Sequence, residues 1–130
     1  PLSEWLSKEL MQKIASENNL SETAFFVSQE DAFDLKWFTP VTEVNLCGHA
    51  TLATAHVLYR HLGWSKPEIK FHSNSGMLSV RNDQEWLTLN FPMDNLEPVE
   101  TPAVVYDAFN LKPKETFKGR ENYLVGEIEI

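Results

Sequence analysis

An α+β fold is expected from three features of this sequence. Short apolar runs with alternating polar positions, bounded by turn residues, mark several strands. One helical stretch, Gly48 to Leu62, is apolar around most of its circumference and so reads as a buried helix. Two other helical stretches are peripheral. A mixed, mostly antiparallel sheet curled around the single central helix accounts for all three.

The elements follow in order. Ser7 to Asn18 is expected to be helical, because Leu10, Met11, Ile14 and Ala15 recur at three- and four-residue spacing. Ser7 or Ser3 can cap its start, and Asn18-Asn19 can end it through a left-handed residue. Thr23 to Ser28 is short, aromatic and β-prone. In Phe33 to Phe38, Phe33, Leu35 and Trp37 point one way and Asp34 and Lys36 the other. The polar Gln29-Glu30-Asp31 between these runs makes them a hairpin, and Pro40 stops its second strand. Within the Gly48–Leu62 helix, Ala50, Leu52, Ala53, Ala55, Val57, Leu58 and Leu62 spread over most faces. Gly63 is its expected stop, with Arg60 and His61 near the negative end of the dipole. Glu68 to Ser73, Gly76 to Arg81 and Glu85 to Phe91 read as strands, with Asn82-Asp83-Gln84 as a tight turn. Thr101-Pro102 reads as an N-cap followed by the first residue of a helix reaching Phe109, and Asn122 to Ile130 reads as extended.

The chain has 130 residues and a formal net charge of −8, which suits one domain with a real core. A hydrophobic fraction of 42% argues against disorder. An isoelectric point near 4.9 counts against nucleic-acid binding. No run approaches the roughly 18 apolar residues of a membrane span. A single cysteine excludes an internal disulfide framework and a cysteine-rich metal site. No signal peptide is visible, and the expected location is the cytoplasm. The chain opens on Pro1 without a Met and ends on a strand-like Gly-Glu-Ile-Glu-Ile, so it is expected to be a piece of something longer.

Two stretches can carry chemistry. In Leu46-Cys47-Gly48-His49-Ala50-Thr51, a glycine stands at a strand-to-helix junction between a thiol and an imidazole. A helix N-terminus offers unpaired N–H groups and positive partial charge, which suit a substrate carboxylate. The same field lowers a cysteine's pKa towards thiolate. Equally, Cys47 can be a small buried hydrophobe and His49 a capping side chain. In Ser21-Glu22-Thr23-Ala24-Phe25-Phe26, aromatic rings that desolvate Glu22 raise its carboxyl pKa, as proton transfer near neutrality requires. Glu22 can also be a solvent-facing loop residue. His49, His56 and His61 fall on different helical faces and do not form a zinc site by spacing.

The ordered motifs go further. Asn-Leu-Ser-Glu-Thr-Ala-Phe at 19–25, Trp-Phe-Thr-Pro at 37–40 and Glu-Val-Asn-Leu-Cys-Gly-His-Ala-Thr-Leu-Ala at 43–53 resemble the PhzF-type phenazine-biosynthesis-like family. Ser-Gly-Met-Leu-Ser-Val (75–80) and Leu-Asn-Phe-Pro (89–92) are similar to the strands that follow in that family. The resemblance implies a fold like that of diaminopimelate epimerase, with two related lobes and an active site between them. Residues 1–130 would then be a single lobe, the N-terminal half, without the opening strand and without the second lobe. The absent strand would leave an open sheet edge.

By the same resemblance, Glu22 is the catalytic acid/base and His49 assists it, while Ser21, Gly48, Ala50 and Thr51 bind substrate. The implied reaction is a proton-transfer isomerisation of a small carboxylated metabolite, with no metal and no organic cofactor. Cys-Gly-His also resembles the proline-racemase motif, which makes Cys47 a possible catalytic group. One cysteine cannot build a two-thiol site. A racemase or epimerase using Cys47 is therefore the second reading, and a non-catalytic member that binds a small acid or a protein is the third. The fragment alone is expected to be inactive. The full-length form is expected to be a homodimer. A half-length chain can instead pair with a copy of itself across a twofold axis and rebuild a cleft, because the two halves of the fold are related by a similar pseudo-symmetry.

Overall fold

The chain runs α1 (Lys8–Asn18), β1 (Thr23–Ser28), β2 (Phe33–Phe38), β3 (Glu43–Val44), α2 (Gly48–Arg60), β4 (Glu68–Ser73), β5 (Gly76–Asn82), β6 (Leu87–Asn90), β7 (Glu97–Pro98), α3 (Ala103–Phe109), β8 (Thr116–Lys118) and β9 (Tyr123–Val125). This computed structural model describes residues 2–110, 113–119 and 123–126. Of the extended stretch expected over 122–130, residues 123–125 form β9, and residues 122 and 127–130 lie outside the described residues. The fold is α+β with a mostly antiparallel sheet, as the sequence predicts. It divides into two compact units, residues 1–92 and 93–130.

In the first unit, the sheet order is β1-β2-β4-β5-β6. β1 pairs antiparallel along the whole of β2, from Thr23↔Phe38 to Ser28↔Phe33. The other edge of β2 is divided. Its start pairs parallel with β4 at Phe33↔Phe71 and Asp34↔His72. Its end pairs antiparallel with β3 at Trp37↔Val44 and Phe38↔Glu43. Outside β1, Leu2 makes a parallel bridge to Val27, its amide donating to Phe26 O at 3.0 Å.

The alternation read from the sequence sorts side chains onto two faces. Phe33, Leu35 and Trp37 of β2 join Ile69, Phe71 and Leu78 in a core beneath α2. Phe25 and Phe38 point to the opposite face and pack edge-to-face, 5.6 Å apart, with Met11 and Ala15 of α1. Each helix therefore covers one face of the sheet. Burying one such large side chain contributes about 1.5–3 kcal/mol.

The helix ends obey local rules. Ser7 Oγ accepts the Leu10 amide at 3.2 Å, and Asn19 ends α1 at φ 49°. α2 stops at Arg60, two residues short of the expected Leu62. The Leu62 and Trp64 amides turn back to the Val57 and Leu58 carbonyls, with Gly63 at φ +70°. Burial of α2 is one-sided: Ala50, Thr51, Thr54, Ala55 and Leu58 are buried, whereas Ala53, His56 and Val57 are exposed.

The second unit has a sheet in the order β7-β8-β9 and the short helix α3. Here the expected cap shifts by one residue. Pro102 is the N-cap, with ψ 153°, and α3 begins at Ala103. Thr101 does not cap; its hydroxyl pairs with Thr116 Oγ1 at 2.8 Å. Among the described residues, no helix is long and apolar enough to cross a membrane.

Candidate active site

The end of β2 sets out the site. Glu22 immediately precedes β1, whose Thr23 pairs with Phe38 at the end of β2, and β3 starts on the opposite flank of Phe38 at Glu43 and leads on to Cys47. α2 then begins with Gly48. Sequence spacing alone does not reveal this meeting, because Glu22 and His49 are separated by a hairpin and a turn.

The segment before α2 is held from several sides. Glu43, in β3, has its side chain largely buried and forms a 2.6 Å ion pair with Lys8 at the start of α1. Asn74 Nδ2 donates to Glu43 Oε1 at 3.5 Å, and Ser75 Oγ donates to Asn45 O at 2.9 Å. The sequence reading gave no role to Glu43 or Asn74, although Glu43 begins the motif at 43–53. At Gly48, an added Cβ would stand 3.2 Å from the ring of Phe91, so glycine permits that close approach. Phe91 is a second neighbour the sequence left without a role. Its signal was its place in Leu-Asn-Phe-Pro.

Several groups converge on His49. Its Nε2 lies 3.0 Å from Glu22 Oε2, within ion-pair range though without hydrogen-bond alignment. Ser21 Oγ is 3.3 Å from the same nitrogen. Cys47 Sγ is 3.7 Å from Nδ1 and 3.9 Å from Nε2. The imidazole is 66% exposed and the Glu22 side chain 19%. Glu22 Oε2 itself is buried without a hydrogen-bond partner. The fold thus brings Ser21, Glu22, Cys47 and His49 together. His56 and His61 sit at the far end of α2, with ring centroids 6.0 Å apart.

The first turn of α2 faces this group. Its leading amides lack intrahelical acceptors, and no acidic residue occupies the turn. Thr51, a residue the resemblance assigns to substrate binding, lies inside this turn. It is fully buried, and its amide and hydroxyl both donate to the Cys47 carbonyl, at 3.3 and 2.6 Å. It braces the turn from within. Ala50 is buried too.

Cys47 departs from the expected thiolate. Burial raises its pKa above the ordinary thiol value; the Ala50 amide lowers it, and the charge of Glu22 raises it further. Desolvation and a neighbouring carboxylate outweigh the helix field. The thiol is consequently neutral at neutral pH. A thiol-alkylating reagent is expected to react slowly at pH 7 and to accelerate only above the usual thiol range. Fast labelling at pH 7, followed by mass spectrometry, would contradict this.

Comparisons with known proteins agree with the motifs. The family model described as phenazine biosynthesis-like protein matches residues 1–119. An uncharacterized isomerase of Pseudomonas aeruginosa is 47% identical over 125 residues, covering 96% of this chain and 48% of the relative. A PhzF family phenazine biosynthesis protein from Enterococcus faecalis superposes with a TM-score of 0.77 at 41% identity, covering 95% of this chain and 47% of that one. A predicted epimerase from Pseudomonas aeruginosa shares the fold at 20% identity, with a TM-score of 0.58, over 88% of this chain and 46% of that one. The chain spans about half the length of these relatives.

Proposed function

The chain belongs to the phenazine biosynthesis-like protein family, and from that premise we propose that it forms one wall of the active site of a cofactor-independent isomerase. The substrate is a small metabolite bearing a carboxylate. The observation that carries the reading is the 3.0 Å approach of His49 Nε2 to Glu22 Oε2 at the head of α2. The isomerase named among the relatives supports the reaction class.

The proposed chemistry uses these groups as follows. The Glu22 carboxylate takes a proton from a substrate carbon, and the C–H electron pair delocalises towards the substrate's unsaturated or carboxyl group. Protonated Glu22 then returns the proton to another carbon, so nothing is consumed. His49, with Ser21 on the same nitrogen, orients the carboxylate and balances its charge. The Gly48 and His49 amides hold the substrate carboxylate, where the developing negative charge meets the positive end of α2. Thr51 keeps that turn rigid.

A second reading gives Cys47 the role of proton donor in an epimerisation. It is favoured by the thiol's neutral state and its place within 4.8 Å of the Glu22 and His49 ligand atoms. Under this reading Cys47→Ala abolishes turnover; under the first it leaves turnover within a few-fold. For the full-length protein the proposal includes a cytoplasmic homodimer.

Incubation in D2O tests the main reading. The intact protein is expected to place solvent deuterium on a carbon of an isomerised small acid, and the 130 residues alone are expected to place none. Exchange by the 130 residues alone would remove the one-wall reading. Absence of exchange by the intact protein, across cyclic and acyclic carboxylates, would overturn the isomerase.

A further inference from the structure

We propose that Glu22, Cys47 and His49 also form a capture site for a thiophilic divalent cation, Zn²⁺ foremost, which blocks the residues assigned to proton transfer. The blocking rests on the function proposed above; the binding does not. The cation here is a competing ligand and not a cofactor.

The donor set is one sulfur, one imidazole nitrogen and one carboxylate oxygen, each a common zinc ligand. Among the described residues, this is the group of His, Cys, Asp and Glu whose donor atoms all lie within 4.8 Å of one another. Tetrahedral zinc, with bonds of about 2.3 Å to sulfur and about 2.0–2.1 Å to nitrogen, spaces those two atoms by about 3.5 Å. The Cys47–His49 separations of 3.7 and 3.9 Å are already near that value. Nitrogen and oxygen ligands stand about 3.3 Å apart on such an ion. The 3.0 Å His49–Glu22 approach needs only a small opening.

The surroundings favour occupancy. Glu22 Oε2 is buried with no hydrogen-bond partner, and a cation would satisfy it. The His49 ring is 66% exposed, which leaves room for it to turn a nitrogen lone pair inward. The ligands come from two segments fixed by the sheet, so little chain entropy is lost on closing the site. Cys47 gives its thiol proton to solvent and becomes the sulfur ligand. Three protein ligands leave the fourth position to water or to an incoming carboxylate. With Glu22 and His49 both coordinated, neither can carry a substrate proton.

Cobalt(II), a coloured stand-in for zinc, tests the site in the purified metal-free protein. The expected result is a thiolate-to-cobalt charge-transfer band, with intense visible bands of four-coordinate cobalt, bleached by one equivalent of Zn²⁺. Cys47→Ser is expected to abolish the charge-transfer band. His49→Gln, at an exposed position, is expected to weaken binding about tenfold or more. No charge-transfer band at saturating cobalt would overturn the site. So would a band that survives Cys47→Ser, or one indifferent to His49→Gln in a variant with native circular dichroism. These readouts do not depend on turnover. Deuterium exchange that continues at full zinc occupancy would overturn the blocking while leaving the binding established.

Discussion

Glu22→Gln in the intact protein is expected to lower turnover by about 10²–10⁴-fold and to leave substrate affinity within a few-fold. Glutamine keeps the length and shape of the side chain, so the packing around a group only 19% exposed is preserved. An amide cannot accept and return the proton, and the loss therefore falls on kcat with KM nearly unchanged. Equilibrium binding of substrate to the inactive variant separates the two effects. Loss of affinity as large as the loss of rate would make Glu22 a binding residue. Full turnover in the variant would remove Glu22 as the proton carrier and favour the Cys47 reading. No turnover in the wild type, with ligand binding unchanged in the variant, would leave a binder of small acids or proteins. Aspartate and alanine are poorer replacements, because shortening the side chain also disturbs its neighbours.

Trp37→Ala is expected to destabilise the fold by about 3–5 kcal/mol. Trp37 is 1% exposed, in the core beneath α2. It pairs with Ala24 of β1 on one side and Val44 of β3 on the other, the two strands that lead to the site. A cavity there removes packing from the strand that positions both flanks. Against a domain stability of about 5–15 kcal/mol, the urea midpoint must fall sharply. Trp37→Phe provides the contrast. The indole Nε1 is buried without an acceptor, so removing that N–H relieves an unmade hydrogen bond, and phenylalanine should cost clearly less. Equal midpoints for the alanine variant and the wild type would show that β2 is not the support described.

Much of this architecture can be read from residue order, and the exceptions have physical causes. Alternation at Phe33, Leu35 and Trp37 gives β2 and its inner face, because a two-residue period allows no other arrangement. Asn19 and Gly63 mark their helix ends because both adopt positive φ. By contrast, β3 and β7 have two residues each, too few to show a period. The circumference of α2 is misleading, since alanine counts as apolar on any face and Ala53 lies exposed. At Thr101-Pro102, the threonine hydroxyl pairs with that of Thr116 in β8 and does not cap the helix. The meeting of Glu22 with His49 is a tertiary event, suggested by motif order and not by any local spacing. The direction of the Cys47 shift depends on burial and on that same carboxylate, neither of which is written next to the cysteine.

The divided edge of β2 also bears on how the chain folds. β1, β2 and β3 close on one another through short connections, as do β4, β5 and β6. Only Phe33↔Phe71 and Asp34↔His72 join the two sets in register, and they can meet only after the loop carrying α2 has closed. Non-local parallel pairing forms slowly because that closure entropy precedes any gain from the contacts. The two antiparallel groups are therefore the early structures, and their union is the late event. Glu22, Cys47 and His49 all flank the first group or lie on the helix that follows it, so the candidate site is expected to rest on the half of the sheet that forms from local contacts.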